Sequence, residues 1–209
     1  MENNRFPEGN IPKLSCWLTI NRACNLRCDW CYAKMTGFDK RLNMSMETVE
    51  KSILLVKDLG LEAIILIGGE PTIHPQFLEI VRRITAAGLK AYVVTNAIRF
   101  SDQKFLEQSL AAGISSITVS FKASNRDDYK RLTHRDVFGK AVKAIENIVA
   151  SGVQHVVNVT ACEELMDGFD QMLEVVSRTG AKSFSIDSGK PVIFASVPES
   201  DGIGNPRRM

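Results

Sequence analysis

The feature that most constrains this chain is a regular alternation of two patterns. Short apolar, β-branched runs at Leu14–Ile20, Ala63–Ile67, Lys90–Thr95, Ser116–Phe121, His155–Ala161 and Ser183–Ile186 alternate with helical patterns at Met46–Leu59, Pro75–Ala87, Asp102–Ala112, Val137–Ser151 and Gly168–Thr179. Alternation of this kind specifies βαβ units and a parallel sheet, because a parallel neighbour is reached only by a crossover connection. Gly60, Gly88, Gly113, Gly152 and Gly180 each follow a helical stretch, where a left-handed residue is wanted. Ser45 is suited to cap the first helix, with Glu47 in its first turn, and Pro75 is placed to occupy a first helical turn without losing a hydrogen bond. Right-handed crossovers then curl the six strands into an open barrel.

The 209 residues suffice for one domain with a sizeable core. A hydrophobic share of 44% with 24% charged residues is that of a soluble globular protein. The net charge of +2 comes without a long basic block, so no nucleic-acid partner is expected. The apolar runs are strand-length, well short of the about 20 residues of a membrane span, so no membrane is expected either. The N-terminal residues carry no apolar signal segment, which predicts a cytoplasmic, reducing location that suits free thiols.

Three of the five cysteines, Cys24, Cys28 and Cys31, fall in the run C-N-L-R-C-D-W-C. A structural zinc site is closed by four ligands, and an iron–sulfur cube normally takes four thiolates. Three thiolates with no fourth ligand nearby would leave one iron open to a substrate. Buried structural cysteines, and a zinc site completed by a distant Cys or His, are the plainer readings.

The spacing C-x3-C-x2-C, with Trp30 before the third cysteine, is followed after the next strand by Gly68-Gly69-Glu70-Pro71 and then by Thr95-Asn96. Together these motifs resemble the radical S-adenosylmethionine (SAM) superfamily over about Leu14 to Asp187. They are most similar to the branch of molybdenum-cofactor and peptide-modifying enzymes. The resemblance implies an α/β fold, a partial (β/α)6 TIM-like open barrel of parallel strands. It implies one 4Fe–4S cluster on Cys24, Cys28 and Cys31, with SAM on the fourth iron. Reductive cleavage of SAM to a 5′-deoxyadenosyl radical, hydrogen abstraction from a peptide or small polar substrate, and an electron donor such as flavodoxin or ferredoxin follow from it. The Cys loop follows the first strand and Gly68-Gly69-Glu70 the second, so both fall on the C-terminal rim where such barrels place their sites.

By resemblance, Gly68 and Gly69 hold the methionine amine of SAM and Glu70 helps to orient it. The glycines let backbone approach closely. Trp30 is a SAM-side candidate, and Thr95 and Asn96 are SAM-side or loop-bracing candidates. Ala97 stands where the family often has glycine, so a backbone with negative φ is expected there. Pro71 reads as a rigid turn residue and His74 as structural. Ser120 and Lys122 share a face of the fourth strand. Ser120 is a SAM contact by resemblance. Lys122 replaces a common acid, and reads either as a partner for the SAM carboxylate or an anionic substrate, or as a solvated lysine. Asn158 and Thr160 share a face of the fifth strand, and Asn158 is a further SAM-side candidate. Asp187, ending the sixth, is a substrate-side candidate or a solvent edge. Cys16 and Cys162 read as structural, and His134 and His155 receive no role. Tyr32–Met44 reads as a lid or a solvated excursion.

Residues 1–188 are expected to form the core domain. Residues 189–209, punctuated by Gly189, Pro191, Pro198, Gly202, Gly204 and Pro206, are expected to form an irregular tail, with Val192–Ala195 across the open barrel edge. With no cysteine after Cys162, auxiliary clusters are not expected, and the chain is either a minimal enzyme or part of a longer protein. The alternatives are an activase that installs a glycyl radical on a partner protein, and a non-catalytic zinc or iron–sulfur module.

Overall fold

The computed structural model describes residues 15–31, 33, 34, 38, 39, 41–161 and 168–188, with the side chains of 161, 187 and 188 excepted. Six parallel strands form one sheet in the order β1 to β6: β1 Ser15–Thr19, β2 Ala63–Ile67, β3 Lys90–Thr95, β4 Ile114–Phe121, β5 Gln154–Ala161 and β6 Phe184–Ser188. Between them lie α1 Met46–Asp58, α2 Phe77–Ala86, α3 Gln103–Ala111, α4 Arg126–Thr133, α5 Phe138–Ala150 and α6 Phe169–Arg178. This is the open, partly closed α/β barrel that the alternation predicts, with β1 and β6 at the two edges.

The inner strands β2 to β5 bury alternate residues against the helices, and β1 adds Leu18. Leu18, Ile64, Leu66, Ala91, Val93, Ile117, Val119, Val157 and Val159 form that row, with Val49, Ile53 and Val56 of α1 and their counterparts packed over it. Burying one such side chain stabilises the fold by about 1.5–3 kcal/mol. A one-residue slip of β4 would exchange Ile117 and Val119 for Ser116, Thr118 and Ser120. The hydrophobic rows thus fix which side chains line the opposite, concave face: Trp17, Ile65, Tyr92, Thr118, Ser120 and Asn158.

The helix ends follow local chemistry. Ser45 Oγ accepts from Thr48 N (3.2 Å) and Asp102 Oδ1 from Lys104 N (3.0 Å). The five expected glycines all adopt positive φ. Gly113 has a second reason to be glycine, since a Cβ there would stand 2.6 Å from Thr85 Cγ2.

Two expectations are corrected. Pro75 is not in a helix: α2 begins at Phe77, and Pro71 instead opens the short 3-10 turn Pro71–Ile73. An additional helix, α4, lies within the β4–β5 connection. Its eight residues, R-D-D-Y-K-R-L-T, bury only Tyr129, Leu132 and Thr133, too few for a hydrophobic period to register. Its signature is electrostatic: Asn125 accepts from Asp128 N, Asp127 and Asp128 sit in the first turn, and Lys130 and Arg131 in the last.

Among the described residues no helix is long and apolar enough to cross a membrane. The tail at 189–209, Cys162, and Tyr32, Met35, Thr36, Gly37 and Lys40 of the proposed lid lie outside the described residues.

Candidate active site

The cysteine loop leaves β1 and is stitched to the end of β2. Ile20 N donates to Ile67 O (2.9 Å), Gly69 N to Asn21 O (3.1 Å), Glu70 N to Ala23 O (2.7 Å) and Asn21 Nδ2 to Glu70 O (2.9 Å). This contact explains both glycines. A Cβ on Gly68 would lie 2.2 Å from Asn21 Oδ1, and one on Gly69 2.3 Å from Ala23 O. The close backbone approach expected of a ligand is made here by the chain's own cysteine loop.

Glu70 is 1% exposed, and its carboxylate accepts four hydrogen bonds. Thr72 N (3.1 Å), Thr72 Oγ1 (2.6 Å) and Thr95 Oγ1 (2.6 Å) donate to Oε1, and Asn96 N (2.8 Å) to Oε2. Burial pushes its pKa up, and the four donors oppose that shift. Because every neighbour donates, the ionised carboxylate fits. Glu70 joins β2, the turn after it and the end of β3, so it reaches the site through other residues. Asn96 carries the link onward, donating from Nδ2 to Asn25 Oδ1 (2.7 Å) beside Cys24. Asn96 thus touches the cysteine loop directly, and Thr95 holds the Glu70 carboxylate.

Ala97, expected at negative φ, has φ 61° and ψ 0°. Thr95 Oγ1 accepts from Ala97 N (2.9 Å) and Asn96 Oδ1 from Ile98 N (3.1 Å), which bends the chain into the 3-10 turn Ile98–Ser101. Asn147 of α5 pins that turn by donating to Phe100 O (3.0 Å). The left-handed conformation costs about 1–2 kcal/mol for a residue with a Cβ. The buried methyl returns about 0.8 kcal/mol. Ala97→Gly is therefore expected to be neutral or to stabilise by up to about 1 kcal/mol. Urea unfolding measures this, and a loss of more than 1 kcal/mol would contradict it.

His74 is structural, as expected. Nδ1 accepts from Gln76 N (3.1 Å), which assigns Nε2–H as the donor to Met44 O (3.2 Å), so the ring ties the end of the cysteine-loop excursion to the β2 turn.

The other flank of the loop rests on α4, the helix absent from the sequence reading. Arg27 N donates to Thr133 O (2.9 Å) and Asp29 N to Leu132 O (3.1 Å), so the residues on both sides of Cys28 hang from the helix's last carbonyls. His134, to which the sequence assigned no role, closes α4 at φ 55° and places Nε2 2.8 Å from Asp29 Oδ1. Arg27 turns inward and donates to Cys24 O and Leu26 O, both at 2.7 Å.

Cys24, Cys28 and Cys31 are free thiols and half-buried. Burial pushes Cys24 up to about 12, opposed by the Leu26 N–H, with Glu70, Cys28 and Cys31 adding repulsion. Burial also raises Cys28, while the Lys122 ammonium draws it down. Thiols so placed ionise against an incoming cationic centre, and coordination removes their protons outright. Three adjacent, unbridged cysteines on a loop braced from two sides fit the thiolate side of an iron–sulfur cluster. Among the described residues no three Cys, His, Asp or Glu side chains converge on a single-ion site.

Lys122 is 9% exposed. It donates to Ser120 Oγ, and its Nζ stands 5.9 Å from the centroid of Trp30. Among the described residues no carboxylate makes an ion pair with it. The solvated-lysine reading thus fails, because the ammonium lies inside the rim beside Cys28. Asn158 donates to Ser185 Oγ (2.9 Å) on the concave face. Asp187 pairs with Thr160 through the backbone, and its side chain lies outside the described residues.

Residues 18–176 match the family model of the radical SAM superfamily. The chain belongs to the radical SAM superfamily. Enzymes of this superfamily use a 4Fe–4S cluster and SAM. A probable GTP 3′,8-cyclase of Thermococcus kodakarensis is 30% identical over 165 residues, covering 78% of this chain and 53% of that protein. An AdoMet-dependent heme synthase of Methanosarcina barkeri is 25% identical over 178 residues, covering 85% of this chain and 50% of that protein. The chain thus spans about half the length of these curated relatives. Streptococcus suis SuiB, solved bound to its precursor peptide SuiA, shares the fold with a TM-score of 0.70 at 15% identity, over 85% of this chain and 39% of that one.

Proposed function

We propose that this radical SAM chain holds one 4Fe–4S cluster on Cys24, Cys28 and Cys31, binds SAM at the strand ends beside it, and acts on a peptide side chain or a small polar molecule. The observation that carries this reading is the gathering of three free thiols on one doubly braced loop, beside an ammonium with no carboxylate partner among the described residues. When bound, the cluster and SAM supply reductive cleavage of the sulfonium to a 5′-deoxyadenosyl radical that takes a hydrogen atom from the substrate.

The chain's own residues bind and orient. Lys122 offers a partly desolvated positive charge to the carboxylate of SAM or to an anionic substrate, and Ser120 and Trp30 hold it in place. Gly68, Gly69, Glu70, Thr95 and Asn96 fix the loop from which the thiols project. The concave face carries Trp17, Thr19, Ile65 and Tyr92 on β1–β3, and Thr118, Ser120, Val156, Asn158 and Ser185 on β4–β6. Hydroxyl and amide groups among apolar ones suit a substrate with both apolar and polar parts, and Asp187 is a further substrate-side candidate. A soluble low-potential carrier such as flavodoxin or ferredoxin would deliver the electron, and a reducing cytoplasm would keep the thiols free.

The decisive experiment is anaerobic reconstitution followed by reduction in the presence of SAM. The wild-type chain is expected to form 5′-deoxyadenosine slowly without substrate, and Cys28→Ala to form none above background. Equal turnover in both would refute the assignment, and zinc at one per chain in place of iron would replace it with a zinc module. A second reading, a purine nucleotide substrate, draws on the relatives named GTP 3′,8-cyclase. Faster 5′-deoxyadenosine formation with GTP than with peptides would select it.

A further inference from the structure

Helices α1, α2, α3, α5 and α6 are each followed by a glycine at positive φ, namely Gly60, Gly88, Gly113, Gly152 and Gly180. Helix α4 is the exception, with His134 in the left-handed position at φ 55° and ψ 28°. A Cβ in that region shifts the folding equilibrium unfavourably by about fivefold or more, a cost that glycine avoids. Strain held at this one helix end, where the other five avoid it, points to work done by the side chain.

The ring reaches back onto the cysteine loop. His134 Nε2 stands 2.8 Å from Asp29 Oδ1, and because the partner is a carboxylate, Nε2 carries the hydrogen. Asp29 lies between Cys28 and Cys31. Its backbone N–H already donates to Leu132 O (3.1 Å), and Arg27 N donates to Thr133 O (2.9 Å). Leu132, Thr133 and His134 thus grip the loop from three consecutive positions at the helix end. The pair is exposed, 58% on the histidine side chain and 45% on the aspartate. An exposed pair shifts an equilibrium by at most about fivefold, so it returns no more than the backbone gives up. Net stability therefore does not account for a histidine here, whereas placement of the cysteine loop does.

We propose that His134 is a positioning residue: its ring holds Asp29 and keeps the Cys28–Cys31 segment in the conformation that receives the cluster. A loop ordered in advance loses less entropy when its thiolates are fixed on one centre, so the cluster is taken up more readily. This rests on the cluster reading above for the incoming group, while the clamp itself is a property of the metal-free chain.

The test is limited trypsin cleavage after Arg27 in the metal-free chain, which tracks how often the loop opens. His134→Asn tolerates the left-handed conformation but lacks the ring, and Asp29→Ala lacks the acceptor. Each is expected to be cut about threefold faster than wild type, and the double variant also about threefold, because both changes remove one interaction. His134→Gly is expected to be cut faster in the same way while its urea midpoint stays at or above that of the wild type. Acrylamide quenching should rise in the same order in chains carrying Trp17→Phe, where Trp30 in the loop is the one tryptophan left. On reconstitution, His134→Asn should load iron about threefold more slowly. Equal cleavage in all chains, or a double variant cut about ninefold faster, overturns the proposal, because independent sites multiply. A His134→Gly chain that loses global stability in step with its cleavage also overturns it, as does iron loading unchanged despite faster cleavage. A wild-type chain that takes up no iron fails at the cluster reading, while the cleavage ratios still decide whether His134 clamps the loop.

Discussion

Gly69→Ala is expected to abolish iron loading while leaving the barrel folded. The added Cβ would meet Ala23 O at 2.3 Å and Arg22 O at 2.6 Å. Both are backbone atoms, so no rotamer change relieves the clash, and relief requires the cysteine loop to move off the end of β2. Such overpacking costs on the order of 3 kcal/mol. The hydrogen bonds from Gly69 N to Asn21 O and from Glu70 N to Ala23 O would add about 1 kcal/mol each when strained. The melting temperature should fall by roughly 10–20 °C. Iron per chain after reconstitution and protease cleavage within residues 21–31 are the direct readouts. The control is Gly139→Ala in α5, where an added Cβ meets nothing within 4 Å and helix propensity favours alanine by about 0.8–1 kcal/mol. Full iron loading in Gly69→Ala would mean that the loop does not depend on this contact.

Glu70→Ala is expected to be nearly as severe, by a different route. It strips the acceptor from Thr72 N, Thr72 Oγ1, Thr95 Oγ1 and Asn96 N. Buried donors left unpaired cost about 1–3 kcal/mol each, so the total is on the order of 4 kcal/mol even after the hydroxyls re-pair. Asn96 would lose its fixed position, and with it the bond to Asn25 beside Cys24. Iron content and SAM affinity should fall together. Glu70→Gln should lose roughly half as much, because its amide nitrogen must face one donor while its oxygen serves the rest. Urea unfolding and iron analysis distinguish these outcomes. A Glu70→Ala chain with unchanged unfolding midpoint and full iron, impaired only in SAM binding, would place the carboxylate on the ligand instead.

Both expectations concern residues that the sequence singled out and whose work only the folded chain displays. The pattern G-G-E-P is visible in one dimension, but the partner of each glycine is Asn21 or Ala23, more than forty residues earlier. Spacing cannot reveal that backbone contact, because it depends on β1 and β2 lying side by side. Ala97 shows the opposite failure. Residue type argued against positive φ, yet two side-chain acceptors on Thr95 and Asn96 hold it there. Helix α4 was missed because hydrophobic period is the main signal for helices, and this one spends most of its surface on charge.

By itself the sequence determined the fold class, the six strands and the family. Each of these rests on local periodicity or on motifs whose residues lie close together along the chain. The cysteine triad, the glycine pair and the strand-end residues were legible for the same reason. Only the tertiary structure decided how the triad is held: between the end of β2 and the last carbonyls of α4, with the buried Lys122 ammonium near Cys28. Those contacts join segments far apart in sequence, and their energies come from burial and from pairing buried polar groups. Neither quantity exists until the barrel has closed around them.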